Sequence, residues 1–272
     1  DPAMCASVPV APRKNLIFMV ALFMGVLIPS LYIYIKELVR TKIATATEAQ
    51  SLTSLPLVAT VPVKHGIVEN ESSIVVRANK NDIMAESFRT LRTNLQFVMK
   101  KSAGNVIMFT STVSGEGKTF VSTNFAVSAA MLGKKVLMMG MDIRRPRLAE
   151  VFNIDPKAEG ITSFLCADEK EVAMLDKIII PSTEVHNLYL LPAGIVPPNP
   201  AELLSKSNLE VAISYLSKKF DYIIMDTAPV GLVSDSIILS RVVDAVVYVS
   251  RVGYTEKAAF EFLNSLVKDG KL

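Results

Sequence analysis

The order of apolar and polar residues divides the chain into an uncharged N-terminal segment, a polar segment and a long region of alternating elements. Residues 16–35 contain no charged side chain, and at about 1.5 Å per residue a helix of this length spans a bilayer core. Tyr32 and Tyr34 lie near one end, as is typical at a membrane interface. The segment therefore predicts one transmembrane helix, and its length disfavours the alternative of a buried core helix.

Beyond residue 80 the apolar positions predict alternating helices and strands. A helix is predicted over residues 82–100, where apolar residues recur at helical spacing and Asp82 can cap the first turn. Strands are predicted at 105–110, 136–141, 187–191, 222–225 and 245–250. Further helices are predicted at 119–131, 202–220 and 256–268. This alternation is typical of an α/β fold with a mostly parallel sheet flanked by helices.

A glycine-containing loop, TSTVSGEGKT at residues 110–119, lies between the first predicted strand and the next helix. Gly115 and Gly117 allow backbone N–H groups to turn towards a phosphate, and the start of the helix adds its positive dipole end. Lys118 would reach the outer phosphates, and the Thr119 hydroxyl would hold Mg²⁺. The strand before the loop and the helix after it favour a nucleotide-binding loop over an ordinary helix start.

Acidic residues follow two of the predicted strands. Asp226 ends an apolar strand, which is the Walker B arrangement, and would hold Mg²⁺ through water. Asp142 follows another strand and could hold Mg²⁺ or its water, or take a proton. Asp235 is expected to start or cap the next helix, and a structural cap is the preferred interpretation. The arginines beside Asp142 could face phosphates or an acidic partner, or remain solvated; they are Arg144, Arg145 and Arg147.

Three charged residues in the helix at 82–100 fall at positions i, i+3 and i+6 and would line one polar face. They are Glu86, Arg89 and Arg92. Spacing alone favours a solvated face with a weak internal ion pair. A face that pairs with a neighbouring subunit is the alternative.

Composition excludes some classes of partner. The net charge of +3 is small, so nucleic acid is not indicated as a partner. Cys5 and Cys166 lie far apart without metal-binding spacing, which argues against a disulfide framework. His65 and His186 have no partner pattern and are interpreted as surface or linker residues.

Together these motifs resemble the bacterial tyrosine kinase (BY-kinase) family, in the form of a cytoplasmic kinase domain that follows the second transmembrane helix of a polysaccharide co-polymerase. The matching stretches are ESFRTLRTNLQF (86–97), TSTVSGEGKT (110–119), VLMMGMDIRRP (136–146), LLPAGIVPPNPAELL (190–204) and IIMDTAPVGLVSD (223–235). The resemblance implies a P-loop ATPase fold and a Mg·ATP-dependent protein-tyrosine kinase that autophosphorylates a C-terminal tyrosine cluster of a neighbouring subunit. It also implies a homo-oligomeric ring that regulates capsule or exopolysaccharide synthesis and export.

The resemblance also implies roles for individual residues. The implied catalytic residues are Lys118, Asp142 and Asp226. The implied nucleotide loop comprises Ser114, Gly115, Glu116, Gly117, Lys118, Thr119 and Phe120. The implied Mg²⁺ ligands are Thr119, Asp142 and Asp226. The family's E-x-x-R-x-x-R ring-contact motif is matched by Glu86, Arg89 and Arg92, which overturns the preference for a solvated face.

The chain departs from expected patterns at several places. Thr112 stands where the strict phosphate-loop pattern begins with glycine. Gly140 stands where the family's second Walker motif usually has its first Asp, so either Asp142 carries both roles or activity is lower. The seven tyrosines form no cluster, and no tyrosine tail follows Leu272. We therefore expect that the chain ends before the tail or that the acceptor tyrosines lie elsewhere.

Two other functions remain as alternatives. A partitioning-type P-loop ATPase would carry a signature lysine at the position of Val113, so the valine and the membrane segment disfavour it. A nucleotide-binding but catalytically weak regulator of polysaccharide export stays open because of Gly140 and the missing tail.

These features predict four parts of the chain. They are an extracytoplasmic flank at 1–15, a transmembrane helix at 16–35, a cytoplasmic linker without a packed unit at 36–80 and a kinase domain at 81–272. Basic residues flank the apolar segment almost equally, so charge does not orient it. Because nucleotide chemistry needs the cytoplasm, we expect a single span of the inner (plasma) membrane with the kinase domain inside.

Overall fold

The computed structural model describes residues 14–63, 73–77, 82–99, 104–167 and 171–272. The chain divides into a unit that ends at Thr41 and a larger unit that runs from Lys42 to Leu272. Some of the predictions concern residues outside the described ones: the flank at 1–13 with Cys5, and the linker residues 64–72 with His65 and 78–81.

The first unit contains one long helix, α1 (Lys14–Leu38). Among the described residues it is the one helix long and apolar enough to cross a membrane, and none of that apolar stretch is buried within the chain. Exposed apolar side chains on every face of a helix are what a lipid environment requires. The helix predicted at 16–35 is therefore confirmed, with slightly wider bounds.

The larger unit is built on one six-stranded sheet. Its strands are β1 (Asn105–Ser111), β2 (Val136–Gly140), β3 (Ile180–Pro181), β4 (Leu188–Leu191), β5 (Tyr222–Asp226) and β6 (Ala245–Val249). They lie in the order β3-β4-β2-β5-β1-β6, and all neighbours are parallel except β3 and β4. The predicted mostly parallel sheet is confirmed, with β2, β5 and β1 side by side at its centre.

The α-helices of this unit connect and flank the strands. They are α2 (Ala46–Ser51), α3 (Ile83–Val98), α4 (Lys118–Ala130), α5 (Leu148–Val151), α6 (Ile161–Cys166), α7 (Ala173–Ile178), α8 (Pro200–Ser205), α9 (Asn208–Leu216), α10 (Asp235–Leu239) and α11 (Ala258–Lys268). A short 3₁₀ helix spans Ser240–Val242. The predicted cap of α3 is confirmed, because the Asp82 carboxylate accepts a hydrogen bond of 2.7 Å from the Ala85 N–H.

Alternate residues of β1 enter two hydrophobic cores, one on each face of the sheet. Val106 and Met108 belong to one core, and Ile107 and Phe109 belong to the other. Every residue of β1 and of β5 is buried, as is usual for central parallel strands. A charged side chain on such a strand is therefore expected only at its end, where the chain leaves the sheet.

The predicted linker is more closely packed than its composition indicated. Ile43 and Ala49 are buried against Phe260 of α11. Residues 74–76 are buried beside α4, where the Asn124 amide oxygen accepts hydrogen bonds from two of their N–H groups at 2.8 and 3.2 Å. A few apolar residues suffice for this packing, and their partners lie far along the chain. The packing of the linker was therefore not predicted from the local periodicity of apolar residues.

The prediction of one continuous helix at 202–220 is wrong, because the structure has two helices with a break between them. α8 ends at Ser205, and Lys206 adopts an extended conformation before α9 begins. The Arg241 guanidinium donates a hydrogen bond of 2.8 Å to the carbonyl of Leu204 and so satisfies one carbonyl at the end of α8. Neither glycine nor proline marks the break, so the sequence pattern continued through it.

Thr123→Val should raise the free energy of unfolding by up to about 1 kcal/mol. The Thr123 hydroxyl of α4 is fully buried and has no hydrogen-bond partner among the described residues. Its desolvation therefore destabilises the folded state without compensation, and valine avoids that cost. The measurement is urea denaturation of the detergent-solubilised chain.

Thr110→Val is the matched control for this prediction. Thr110 is equally buried, but its hydroxyl donates to the carbonyl of Ala228 at 3.1 Å, so the same substitution should lower stability by about 1 kcal/mol or more. A Thr123→Val protein that loses as much stability as Thr110→Val would contradict the interpretation.

Candidate functional site

Three loops meet where β1, β5 and β2 end. Because these parallel strands are neighbours, their carboxyl ends lie along the same edge of the sheet. The loop at 112–117 follows β1, Asp142 follows β2, and Asp226 ends β5. A cavity of about 880 Å³ opens at this edge. The predicted site residues that line it are Ser114, Gly115, Gly117, Lys118, Thr119, Phe120 and Asp142.

The glycine loop has the backbone conformation that its sequence predicted. Gly115 and Gly117 have φ angles of +92° and +97°, a region that side chains disfavour. A Cβ atom on Gly115 would lie only 2.9 Å from the hydroxyl oxygen of Tyr254. Gly117 is the N-cap of α4, which begins at Lys118. The loop therefore leads directly into the positive end of a helix, as an anion site requires.

Asp226 is buried at the inner end of this edge and is only 4% exposed. Its Oδ2 accepts a hydrogen bond of 2.7 Å from the Thr119 hydroxyl, and its Oδ1 accepts one of 3.3 Å from Ser122. Burial raises the pKa of Asp226 to about 6, while the positive charge of Lys118 and the Thr119 hydrogen bond oppose that shift. A cation bound near this carboxylate would therefore stabilise its charged form.

Asp142 lies beside Asp226 and is half-buried at the cavity wall. The backbone carbonyl of Asp226 accepts hydrogen bonds from the N–H groups of Met141 and Asp142, at 2.8 and 2.9 Å. The Asp142 Oδ1 in turn accepts from the Arg145 N–H at 3.0 Å. These hydrogen bonds fix the backbone around Asp142, and Asp142 lines the cavity together with Lys118.

Of the two alternatives for Asp235, the one in which it starts the helix is confirmed, and the preferred one, a helix cap, is wrong, because Ser234 is the N-cap. Asp235 is the first residue of α10, and its carboxylate is fully buried against Arg144. Two hydrogen bonds join this pair, from Nε of Arg144 to Oδ2 at 2.7 Å and from Nη2 to Oδ1 at 2.9 Å. The bond to Asp235 raises the pKa of Arg144. The pair links the loop after β2 to the helix that follows β5.

The other two arginines of this loop, Arg145 and Arg147, are exposed and line the cavity. Glu150 and Glu184 also line the cavity, so it is lined by both cationic and anionic groups. The geometry agrees with arginines that face the ligand space.

Glu116 is the one predicted nucleotide-loop residue whose side chain turns away from the cavity. It is 4% exposed and is not part of the cavity wall. Its Oε2 accepts a hydrogen bond of 2.8 Å from the Val113 N–H, and its Oε1 accepts one from the Thr255 hydroxyl. Phe120 lines the cavity and also packs edge-on against Phe88 of α3.

The charged residues of α3 do not share one face as predicted. Glu86 and Arg89 form a surface ion pair of 2.9 Å. Arg92 instead turns towards α4 and donates a hydrogen bond of 2.6 Å to the carbonyl of Ser128, in the last turn of that helix. Burial and the charge of Arg89 lower the pKa of Arg92. Arg92 therefore satisfies an unpaired carbonyl and complements the negative end of the helix dipole.

Gly140 is tightly packed at the end of β2. A Cβ atom there would lie 3.3 Å from the backbone nitrogen of Ala193 and 3.3 Å from the Cβ of Leu148. An aspartate at this position would require its neighbours to shift by a few tenths of an ångström.

The residues present fit a magnesium ion that is shared with a nucleotide. No group of three or more His, Cys, Asp or Glu side chains within the described ranges could hold a metal alone. Mg²⁺ usually takes one or two protein ligands and completes its shell with water and substrate phosphates. The adjacent Thr119 hydroxyl and Asp226 carboxylate match that donor set.

Several residues at the site were not predicted from the sequence: one lies a turn beyond Thr119 in α4, and the others lie in distant segments. Ser122 shares Asp226 with Thr119. Tyr248 of β6 contacts the Thr112 hydroxyl, and burial raises the pKa of Tyr248 to about 12. The turn at 251–255 contacts the glycine loop from the side. No local spacing marks these residues, because their partners lie more than a hundred positions away.

Comparisons with known proteins agree with this geometry. A family model described as an AAA domain matches residues 104–268. The tyrosine-protein kinase ptk of Acinetobacter johnsonii is 32% identical over 261 residues, which cover 93% of this chain and 35% of that protein. The tyrosine-protein kinase CpsD of Streptococcus agalactiae is 37% identical over 178 residues, which cover 64% of this chain and 75% of that protein.

The larger unit also matches a solved kinase domain. The kinase domain of Escherichia coli tyrosine kinase ETK superposes with a TM-score of 0.73 at 26% identity, over 83% of this chain and 88% of that one. The chain spans about a third of the length of relatives such as ptk, and most of the length of CpsD. Sequence, fold and site geometry agree, and the chain belongs to the bacterial tyrosine kinase family of P-loop proteins.

Proposed function

We propose that this chain is the kinase part of a Mg·ATP-dependent protein-tyrosine kinase that regulates capsule or exopolysaccharide synthesis and export. The observation that carries the proposal is the joining of the glycine loop, Lys118, Thr119 and Asp142 in one cavity, with Asp226 bonded to Thr119 at its inner end. This set contains the groups that phosphoryl transfer needs to position phosphates and neutralise their charge.

In this mechanism Lys118 and the loop N–H groups hold the β- and γ-phosphates of ATP. Thr119 and Asp226 would hold Mg²⁺, which would neutralise negative charge on the phosphates. Asp142 orients the incoming tyrosine hydroxyl or takes its proton. Its half-exposed position at the cavity wall suits a group that must meet a second substrate.

The partners in this proposal follow from the family resemblance. The acceptor is a tyrosine-rich tail of a neighbouring subunit in a homo-oligomeric ring, with contacts through Glu86, Arg89 and Arg92. Helix α1 would cross the inner membrane once and keep the kinase domain in the cytoplasm, near the polysaccharide export machinery. The apolar, unburied surface of α1 supports the membrane part of the proposal.

A second candidate function is a nucleotide-binding regulator with weak or no kinase activity. Gly140 favours it, because the second Walker motif lacks its first carboxylate. The tight packing around Gly140 also means that an aspartate cannot be added there without local movement.

Lys118→Met should abolish transfer of phosphate to tyrosine, because it removes the positive charge that would contact the outer phosphates. The assay incubates the full chain in detergent with Mg·ATP and a tyrosine-rich peptide, and measures phosphotyrosine alongside nucleotide binding. Lys218→Met, at an exposed lysine outside the cavity, is the control.

The outcomes of this assay separate the two functions. Full activity of Lys118→Met would refute the assignment of Lys118. Nucleotide binding by the wild-type chain without phosphotyrosine would favour the regulator, and absence of nucleotide binding would exclude both functions.

Asp226→Asn should make the nucleotide-free protein more stable at pH 8 by about 2–3 kcal/mol, while transfer is lost. The pKa of Asp226 is raised to about 6, above its unfolded value of about 4, so ionisation of the carboxyl group increasingly destabilises the fold between these pH values and does so fully above about 6. That cost disappears as the pH falls below about 4, and the advantage of the variant should disappear with it.

Urea denaturation at pH 4 and pH 8 measures this difference. Asp155→Asn, at an exposed aspartate, is the control and should change stability little at either pH. An Asp226→Asn protein with the same stability change at both pH values would contradict the raised pKa.

Arg92→Ala and Arg89→Ala should have different effects. Removal of Arg92 leaves the Ser128 carbonyl without its cationic donor and should lower the free energy of unfolding by about 1–3 kcal/mol. Removal of Arg89 breaks a surface ion pair with Glu86, and the loss of an exposed pair should cost less than about 1 kcal/mol.

Arg89→Ala is therefore the cleaner test of the proposed ring. We expect a smaller oligomer by light scattering, with a loss of stability below about 1 kcal/mol. An unchanged oligomer would count against the contact through Arg89.

A further inference from the structure

A carboxylate inside a phosphate-binding loop is an electrostatic liability. Glu116 lies between Gly115 and Gly117, two residues before Lys118, in a loop expected to surround phosphate groups. A free carboxylate at this point would repel those phosphates, and a buried carboxylate without partners would carry a large desolvation cost. The structure avoids both by holding each oxygen of Glu116.

The two oxygens of Glu116 have separate donors. Oε2 accepts a hydrogen bond of 2.8 Å from the Val113 N–H, within the loop itself. Oε1 accepts one from the hydroxyl of Thr255, which is 1% exposed. The Thr255 oxygen accepts a hydrogen bond of 2.8 Å from the Arg251 N–H, so its own hydrogen is directed to Glu116. The carboxylate is thus turned away from the cavity.

The turn that carries Thr255 also holds the loop at two neighbouring residues. The Tyr254 hydroxyl donates a hydrogen bond of 2.9 Å to the carbonyl of Ser114. The Arg251 guanidinium donates one of 3.2 Å to the carbonyl of Gly115. These bonds occupy carbonyl groups of the loop on the side of the turn. They orient peptide units that would otherwise be free to rotate, since glycine restricts them little.

We propose that Thr255 is a positioning residue for nucleotide binding: it anchors the Glu116 carboxylate outside the phosphate path and so keeps the loop N–H groups available to the phosphates. The proposal rests on the proposed function, because it assumes that the cavity binds a nucleotide. The proposed role differs from simple packing. It predicts that loss of Thr255 weakens binding through the negative charge of Glu116 and not through the volume of that side chain.

The test is titration of the full chain in detergent with Mg²⁺ and a fluorescent N-methylanthraniloyl ADP. Thr255→Val keeps the side-chain shape but removes the hydroxyl, and should raise the Kd by about tenfold. Thr255→Ser keeps the hydroxyl and should restore most of the affinity. The double variant Thr255→Val with Glu116→Gln should also recover affinity relative to Thr255→Val, because the released group is then neutral.

A second pair of variants leaves the turn at 251–255 intact, in case Thr255→Val does not fold. Glu116→Asp keeps the charge but shortens the side chain so that it no longer reaches Thr255. Glu116→Gln keeps the reach but removes the charge. The Asp variant should bind the fluorescent ADP about tenfold more weakly than the Gln variant.

Each outcome decides the proposal. Weak binding by Thr255→Val that Glu116→Gln repairs, or weaker binding by Glu116→Asp than by Glu116→Gln, supports it. Wild-type affinity in Thr255→Val, no repair in the double variant, or equal binding by the Asp and Gln variants overturns it. Because the readout is ADP binding, a chain that binds ADP but forms no phosphotyrosine would refute the kinase function alone.

Discussion

A buried carboxylate at the end of the central strand holds the candidate site together. Asp226 contacts α4 through its side chain, where Thr119 and Ser122 donate to its two oxygens. Its backbone carbonyl accepts from the N–H groups that lead to Asp142. Helix α4, which follows the loop after β1, and the loop after β2 therefore meet on one residue of β5, and their relative position depends on the register of β5 between its two neighbours.

In this arrangement stability and function conflict, because the buried carboxylate that the site needs also destabilises the free protein. A carboxylate without solvent is stable as an anion where cations and hydrogen-bond donors surround it. Asp226 is opposite in charge to Lys118 and accepts hydrogen bonds from the hydroxyl groups of Thr119 and Ser122. Burial nevertheless raises its pKa to about 6. A bound cation would stabilise the charged form of this carboxylate, and a buried acidic group with a raised pKa at a cavity is typical of a ligand site.

Other groups near the site are also held by residues from distant parts of the chain. Glu116 is held by Thr255, Asp235 by Arg144, and the end of α4 by Arg92. In each pair one member lies in a short motif and the other lies at least 36 positions away. These contacts place the motif residues in three dimensions, and they leave Asp142 and the exposed arginines facing the cavity.

The sequence by itself determined the membrane-length helix, the alternation of strands and helices, the glycine loop and the acidic strand ends. Those features depend on local periodicity, on glycine geometry and on residues next to one another in the chain. Only the tertiary structure decided that Asp235 pairs with Arg144, that Arg92 caps α4, that the linker packs and that Glu116 turns away from the cavity. The physical reason is that a charged side chain on a helix or loop can satisfy itself with water or with any donor that the fold brings near, and spacing along the chain does not specify which.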